Sequence, residues 1–140
     1  MKYGTKEFYE QAKEKVNANE VLLRKTRGLS FKFQNLMTDC PGGVDRLIDW
    51  ELDKGRIASV KVEEKPAPSE WRKIPLGAGY LMRTIGAYDT YVKLNKKEIT
   101  AVQGQMSGAF KLDGDLTKVM AKLAEFTYLT DFMATIPCEY

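Results

Sequence analysis

No histidine occurs anywhere in this 140-residue chain. That absence removes the commonest general base, the usual partner of a serine or cysteine nucleophile, and the commonest metal ligand. Hydrolase and transition-metal chemistry are disfavoured accordingly, and only Asp, Glu, Lys, Tyr and Cys are left for catalysis. Cysteine is scarce as well. Cys40 and Cys138 fit neither a disulfide framework nor a metal site by spacing, and read as reduced thiols of a cytoplasmic protein. No apolar run approaches a membrane span. The opening MKYGTKEFYEQAKEKV turns polar within a few residues and lacks the apolar core of a signal peptide. Charge of one sign is not in excess either. A formal +3, with Lys and Arg mixed among the acids, provides no basic stripe for nucleic acid, while allowing weak attraction to an anionic membrane surface. The glycine pairs Gly42-Gly43 and Gly77-Ala78-Gly79 lack the spacing of a phosphate loop.

What is present has the size and patterning of a single domain spanning residues 1–140. Thr5 is placed to cap a first helix whose apolar side is Phe8, Ala12 and Val16, and Glu20–Lys25 reads as a short second one. The period then changes from helix to strand. Leu29, Phe31 and Phe33 alternate with polar residues, as do Ile48, Trp50 and Leu52, and then Ala58, Val60 and Val62. The last two runs flank Asp53-Lys54-Gly55, the strongest hairpin signal in the chain. Tyr80–Ile85 reads as a covered strand, Tyr88–Leu94 and Ile99–Met106 as short helices. Successive hairpins with flanking helices predict an α+β domain, an antiparallel sheet with helices on one face.

The stretch GAFKLDGDLTKVM, Gly108 to Met120, holds the one pair of acids that invites a metal. Phe110 and Leu112 have the period of a strand, whereas Leu116, Val119, Met120 and Leu123 have that of a helix. A strand turning sharply into a helix wants Gly at the bend and Asp at the cap. Asp113 and Asp115 are therefore read as turn residues, Asp115 as the N-cap, with one helix running on to about Leu129.

Aromatic residues and six methionines make up the remaining signal. They describe either a well-filled core or the wall of an apolar cavity. The texts GAYDTYVKLN and GAFKLDGDLTKVMAKL, together with the earlier LSFKF and DWELDKGRIASVKV, resemble the sterol carrier protein-2 family of lipid-transfer domains in its prokaryotic branch. The resemblance implies a five-stranded, mostly antiparallel sheet with helices over one face and an apolar tunnel between them. It implies a carrier that binds a sterol, fatty acid, acyl-CoA or similar molecule without transforming it, needing no cofactor and touching membranes only transiently. The wall residues expected from it are Phe31, Phe33, Trp50, Leu81, Ile85, Tyr88, Val92 and Met106, followed by Phe110, Leu112, Val119, Met120, Leu123 and Phe126. Phe132 and Met133, in an apolar C-terminal stretch, are expected to close one end of the tunnel. The alternatives are an enzyme or enzyme subunit handling acyl thioesters in the same pocket, and a protein-interaction module without a ligand. The segment Trp71–Gly79 matches no element of the family.

Overall fold

The computed structural model describes all residues from Met1 to Tyr140. Helices α1 (Lys6–Asn17) and α2 (Glu20–Lys25) come first. Each starts where a side chain relieves a free amide. Thr5 Oγ1 accepts from the Phe8 N–H at 3.3 Å, and Asn19 Oδ1 from the Leu22 N–H at 3.0 Å. Strands β1 (Phe31–Cys40), β2 (Val44–Asp53) and β3 (Arg56–Pro66) follow as successive hairpins. The second turns on Lys54-Gly55, both at positive φ (51° and 85°), as the twist of a two-residue hairpin loop demands. No side chain would fit at Gly55, where a Cβ would collide with Thr26. Then come β4 (Tyr80–Ala87), α3 (Tyr88–Asn95), α4 (Ala101–Met106), β5 (Phe110–Gly114), α5 (Leu116–Ala121) and α6 (Leu123–Met133). No helix is long and apolar enough to cross a membrane.

The sheet order is β3-β2-β1-β4-β5. Its β1–β4 pair is parallel and the other pairs are antiparallel, so the sheet is mixed. The central strand, β1, is buried from both sides, by Phe33 and Met37 on the helix side and by Leu36 on the other. Phe8, Ala12 and Val16 of α1, Ile48 of β2 and Leu129 of α6 join the main apolar cluster between sheet and helices.

Asp115 caps α5, its Oδ1 accepting the Lys118 N–H at 3.1 Å. Gly114 has φ 131° and lies against the Leu81 carbonyl, where a Cβ would clash. Asp113 pairs with Arg83 at 3.2 Å. The two acids serve the turn, and no group of three His, Cys, Asp or Glu side chains gathers anywhere to hold a metal. The single helix expected from Leu116 is in fact two, broken at Lys122 (φ −109°, ψ 5°), and α6 runs to Met133. The break follows from what each half must cover. α5 packs on β4, whereas α6 packs on α1, α2 and α3.

The second face of the sheet is also partly covered. Asp45 alternates with Arg46 on β2, so its side chain points away from the helices. Its Oδ2 accepts from the Ser69 N–H (2.9 Å), Ser69 Oγ (2.7 Å) and Arg72 Nε (2.9 Å). Its Oδ1 accepts from Arg72 Nη2 (2.7 Å) and the Asp39 N–H (3.1 Å). Burial alone would raise this carboxyl's pKa, but the donors outweigh it and hold the group well below the usual carboxylate range. The clamp ties Ser69 and Arg72 to this face, with Trp71 buried between them in sequence, as the chain returns from β3 to β4.

Candidate functional site

Strand register places Phe33 directly beside Trp50 on one side and Met82 on the other, all facing the helices. The Phe33 and Trp50 rings stack with centroids 5.4 Å apart and planes 4° from parallel. Phe126, from α6, meets Phe33 edge-on at 5.2 Å and Phe31 at 5.4 Å, while Tyr9 of α1 meets Trp50 edge-on at 5.4 Å. Pairs in these geometries add about 0.5–1.5 kcal/mol each beyond area burial, so the aromatic layer is cohesive. A polar chain runs through it. Trp50 Nε1–H donates to Asn35 Oδ1 at 2.8 Å, Asn35 Nδ2 donates to Thr84 Oγ1 at 2.7 Å, and the Thr84 and Tyr91 hydroxyls share a bond of 2.6 Å. Burial holds the Tyr91 and Tyr9 phenols above their ordinary range.

Of two open grooves, the smaller touches this layer. The smaller, about 330 Å³, is lined by Gly28, Ser30, Phe31, Leu81, Lys118, Ala121 and Lys122. Phe31 is the groove's one link to the layer, its ring centroid 6.0 Å from that of Phe33, which is buried behind it. Leu81 reaches it through a bulge: the β1–β4 register shifts after Lys32, pairs Phe33 with Met82, and leaves Leu81 as the extra residue. Along the same edge Glu125 Oε2 accepts the Gly28 N–H at 2.7 Å, tying α6 to the loop before β1. The larger groove, about 580 Å³, lies between the α1–α2 junction and α6, lined by Lys15, Ala18, Asn19, Glu20, Val21, Arg24 and Phe132.

Most of the expected wall residues come together. Phe33, Trp50, Val119 and Phe126 belong to the main cluster, and Phe31, Leu81, Tyr88, Val92, Leu112, Phe132 and Met133 pack against it. Phe110 is buried with its ring against Gly104, and Leu123 is half-buried. Three residues are not brought in. Ile85 pairs with Leu36 and Lys111 on the opposite face of the sheet, because the Leu81 bulge sets the phase of the rest of β4. Met106 and Met120 project into solvent at 83% and 61% exposure. The side of α5 turned inward is that of Val119, so Met120, one residue on, falls outside it.

The tail past α6 is not free over a groove. Ile136 is buried, the Glu139 N–H donates to the Met1 carbonyl at 2.8 Å, and the Tyr3 N–H donates to the Glu139 carbonyl at 2.8 Å. Sequence reasoning missed Gly28, Ser30, Lys118 and Lys122. Lys118 and Lys122 are spaced i, i+4 on and just after α5, an ordinary polar pattern, and only the distant loop at 28–31 makes them a groove wall.

No family model matches the sequence, and no curated protein matches it significantly. The fold does have relatives among solved structures. A conserved hypothetical protein of Thermus thermophilus, described as possibly a sterol carrier protein, superposes with a TM-score of 0.77 at 12% identity, over 99% of this chain and 92% of its own. Sterol carrier protein 2 superposes at 0.74 and 12% identity, over 95% and 98%. The palmitated sterol carrier protein 2 like 2 of Aedes aegypti superposes at 0.53 and 16% identity, over 95% and 96%. At such identities the likeness is one of architecture, and the chain has the sterol carrier protein 2 fold.

Proposed function

We propose that the protein is a cytoplasmic lipid carrier that holds a long acyl chain, or a hydrophobic molecule of similar shape, between its sheet and helices. The observation that carries this reading is the smaller groove, whose wall residue Phe31 packs against Phe33 and Phe126 of the stacked layer. Palmitate held by the Aedes aegypti protein of the same fold supports it. A volume of about 330 Å³ is at the small end of ligand pockets, so a full chain enters by parting Phe31 from Phe126. Each methylene so enclosed gains about 0.8 kcal/mol over exposure to water. The guest is exchanged by transient contact with a membrane, and neither cofactor nor nucleic acid takes part. The carrier reading is favoured over an acyl-transferring enzyme by the state of Cys40. Burial pushes its thiol up to about 11, and its Sγ–H donates to the Met37 carbonyl at 3.5 Å, so it stays protonated near neutral pH and is a poor acyl acceptor.

Native mass spectrometry of the purified protein, followed by lipid extraction and titration with a fluorescent fatty acid, tests the proposal. One equivalent of hydrophobic guest should be retained or taken up, and long acyl chains should displace the probe. A folded protein that retains nothing and never saturates would refute it.

A further inference from the structure

We infer that strand β3 is a pairing edge for a second copy of this chain, joined antiparallel about a two-fold axis at Val62 into one continuous sheet. The inference stands apart from the carrier reading. β3 is an outer strand of the sheet and its longest. Such a strand leaves a row of N–H and C=O groups unpaired, a template for another strand. Here only the start of that row is occupied. Asn17 Nδ2 donates to the Ile57 carbonyl at 2.9 Å, and the Ile57 N–H donates to Asn17 Oδ1 at 2.8 Å, as a neighbouring strand would. Ala58 follows as a bulge, because Ile57 pairs with Leu52 and Ser59 with Glu51. From Ser59 to Lys65 no backbone group bonds to anything beyond the sheet, and Pro66 ends the run by lacking an N–H.

The free stretch Ser59–Lys65 is centred on Val62. Paired with itself about that centre, it sets Lys61 opposite Glu63 on each side of the axis, Val60 opposite Glu64, and Ser59 opposite Lys65. The next registers that keep the two faces matched set Lys61 against Lys61 or Glu63 against Glu63, so charge selects the centred one. Lys61 and Glu63 are exposed, and neither forms an ion pair within the chain, whereas Glu64 is taken by Arg46 at 3.1 Å and Lys65 by Glu70. Nor does β2 supply them. Glu63 lies opposite Leu47, and Asp49, opposite Lys61, accepts instead from Gln34 and Tyr80. Val60 and Val62, half-buried against the core, continue the apolar side across the joint. A stretch that complements itself in charge and in length fits a second copy, the isologous contact of a two-fold dimer.

Analytical ultracentrifugation of the full chain at low salt, from about 10 μM to about 1 mM, tests this, since one strand pair is a small interface and binds weakly. The wild type should pass from monomer to dimer within that range. Lys61→Glu sets like charges opposite each other on both sides of the axis, and Glu63→Lys does so with the other sign. Each variant alone should dimerise at least about tenfold more weakly. An equimolar mixture of the two should associate as well as the wild type, because every pair across the axis is again of opposite sign. The double variant Lys61→Glu, Glu63→Lys should regain the wild-type affinity for the same reason. Both positions are exposed, so circular dichroism should show an unchanged fold in every variant. A wild type that stays monomeric through the whole range overturns the proposal and leaves the edge to a strand of another protein. A dimer that the single variants do not weaken, or a mixture that does not recover, overturns it as well, since the copies then meet elsewhere or in another register.

Discussion

Phe126→Ala separates a packed core from a layer that admits a guest. Phe126 is nearly buried and touches both Phe31 and Phe33, so its truncation removes two aromatic contacts and leaves a void next to the groove. Loss of a buried Phe costs about 3–5 kcal/mol, and the lower end applies because the groove lets neighbours settle into the space. For a chain of this length, a loss of about 3 kcal/mol lowers the melting temperature by about 10 °C. If an acyl chain enters where the carrier reading puts it, roughly four of its methylenes fill the void, and at about 0.8 kcal/mol each they restore nearly the whole loss. Thermal and urea unfolding with and without saturating oleate should therefore show a larger ligand-induced stabilisation in the variant than in the wild type. Leu129→Ala is the control. Leu129 is almost wholly buried on the same helix but lines neither groove, so its loss of about 2–5 kcal/mol should not be recovered by oleate. Equal stabilisation of wild type and Phe126→Ala, or equal rescue of Leu129→Ala, would refute the placement of the chain.

Two further outcomes follow from the geometry. The Asp45 carboxyl is depressed in the folded state, so its stabilising effect is complete above the ordinary carboxylate range and fades as pH falls through that range toward its depressed value. Asp45→Asn should cost about 2–3 kcal/mol at neutral pH and flatten the acid side of a pH–stability curve measured by urea unfolding; an unchanged curve would show that the clamp is not what holds residues 67–79. Phe132 forms part of the larger groove and packs against the core, so Phe132→Ala should speed lipid release in a stopped-flow transfer assay if this end of the chain acts as a lid, and an unchanged rate would remove that role.

The parts of this fold legible in sequence are those set by near neighbours. Thr5, Asn19 and Asp115 cap helices within three residues of themselves, and Lys54-Gly55 forms its hairpin from local twist. The unread parts are set by residues far along the chain. Nothing near β1 announces that β4 will lie parallel to it, and nothing near Asp45 announces Arg72. Tyr80–Ile85 is apolar at most positions, so its period does not reveal which face Ile85 takes, and the Leu81 bulge decides that. Met120 follows the helical period that suggests burial, yet the break at Lys122 lets α5 turn Val119 inward and leave Met120 outside. The site shows the same division. Its aromatics are visible as strand and helix residues, whereas its lysines become groove wall only through the loop at 28–31.

A carrier faces a thermodynamic constraint that bears on the filled state of the aromatic layer. A chain in a bilayer is already out of water, so moving it into the protein gains little from the hydrophobic effect. Uptake then depends on how the contacts of chain with protein compare with those of chain with lipid and of protein with itself. Here the Phe33–Trp50 stack and the Phe126 edge contact are made without a guest and must be partly given up to admit one. That cost weakens binding and thereby permits release, which a carrier needs as much as capture.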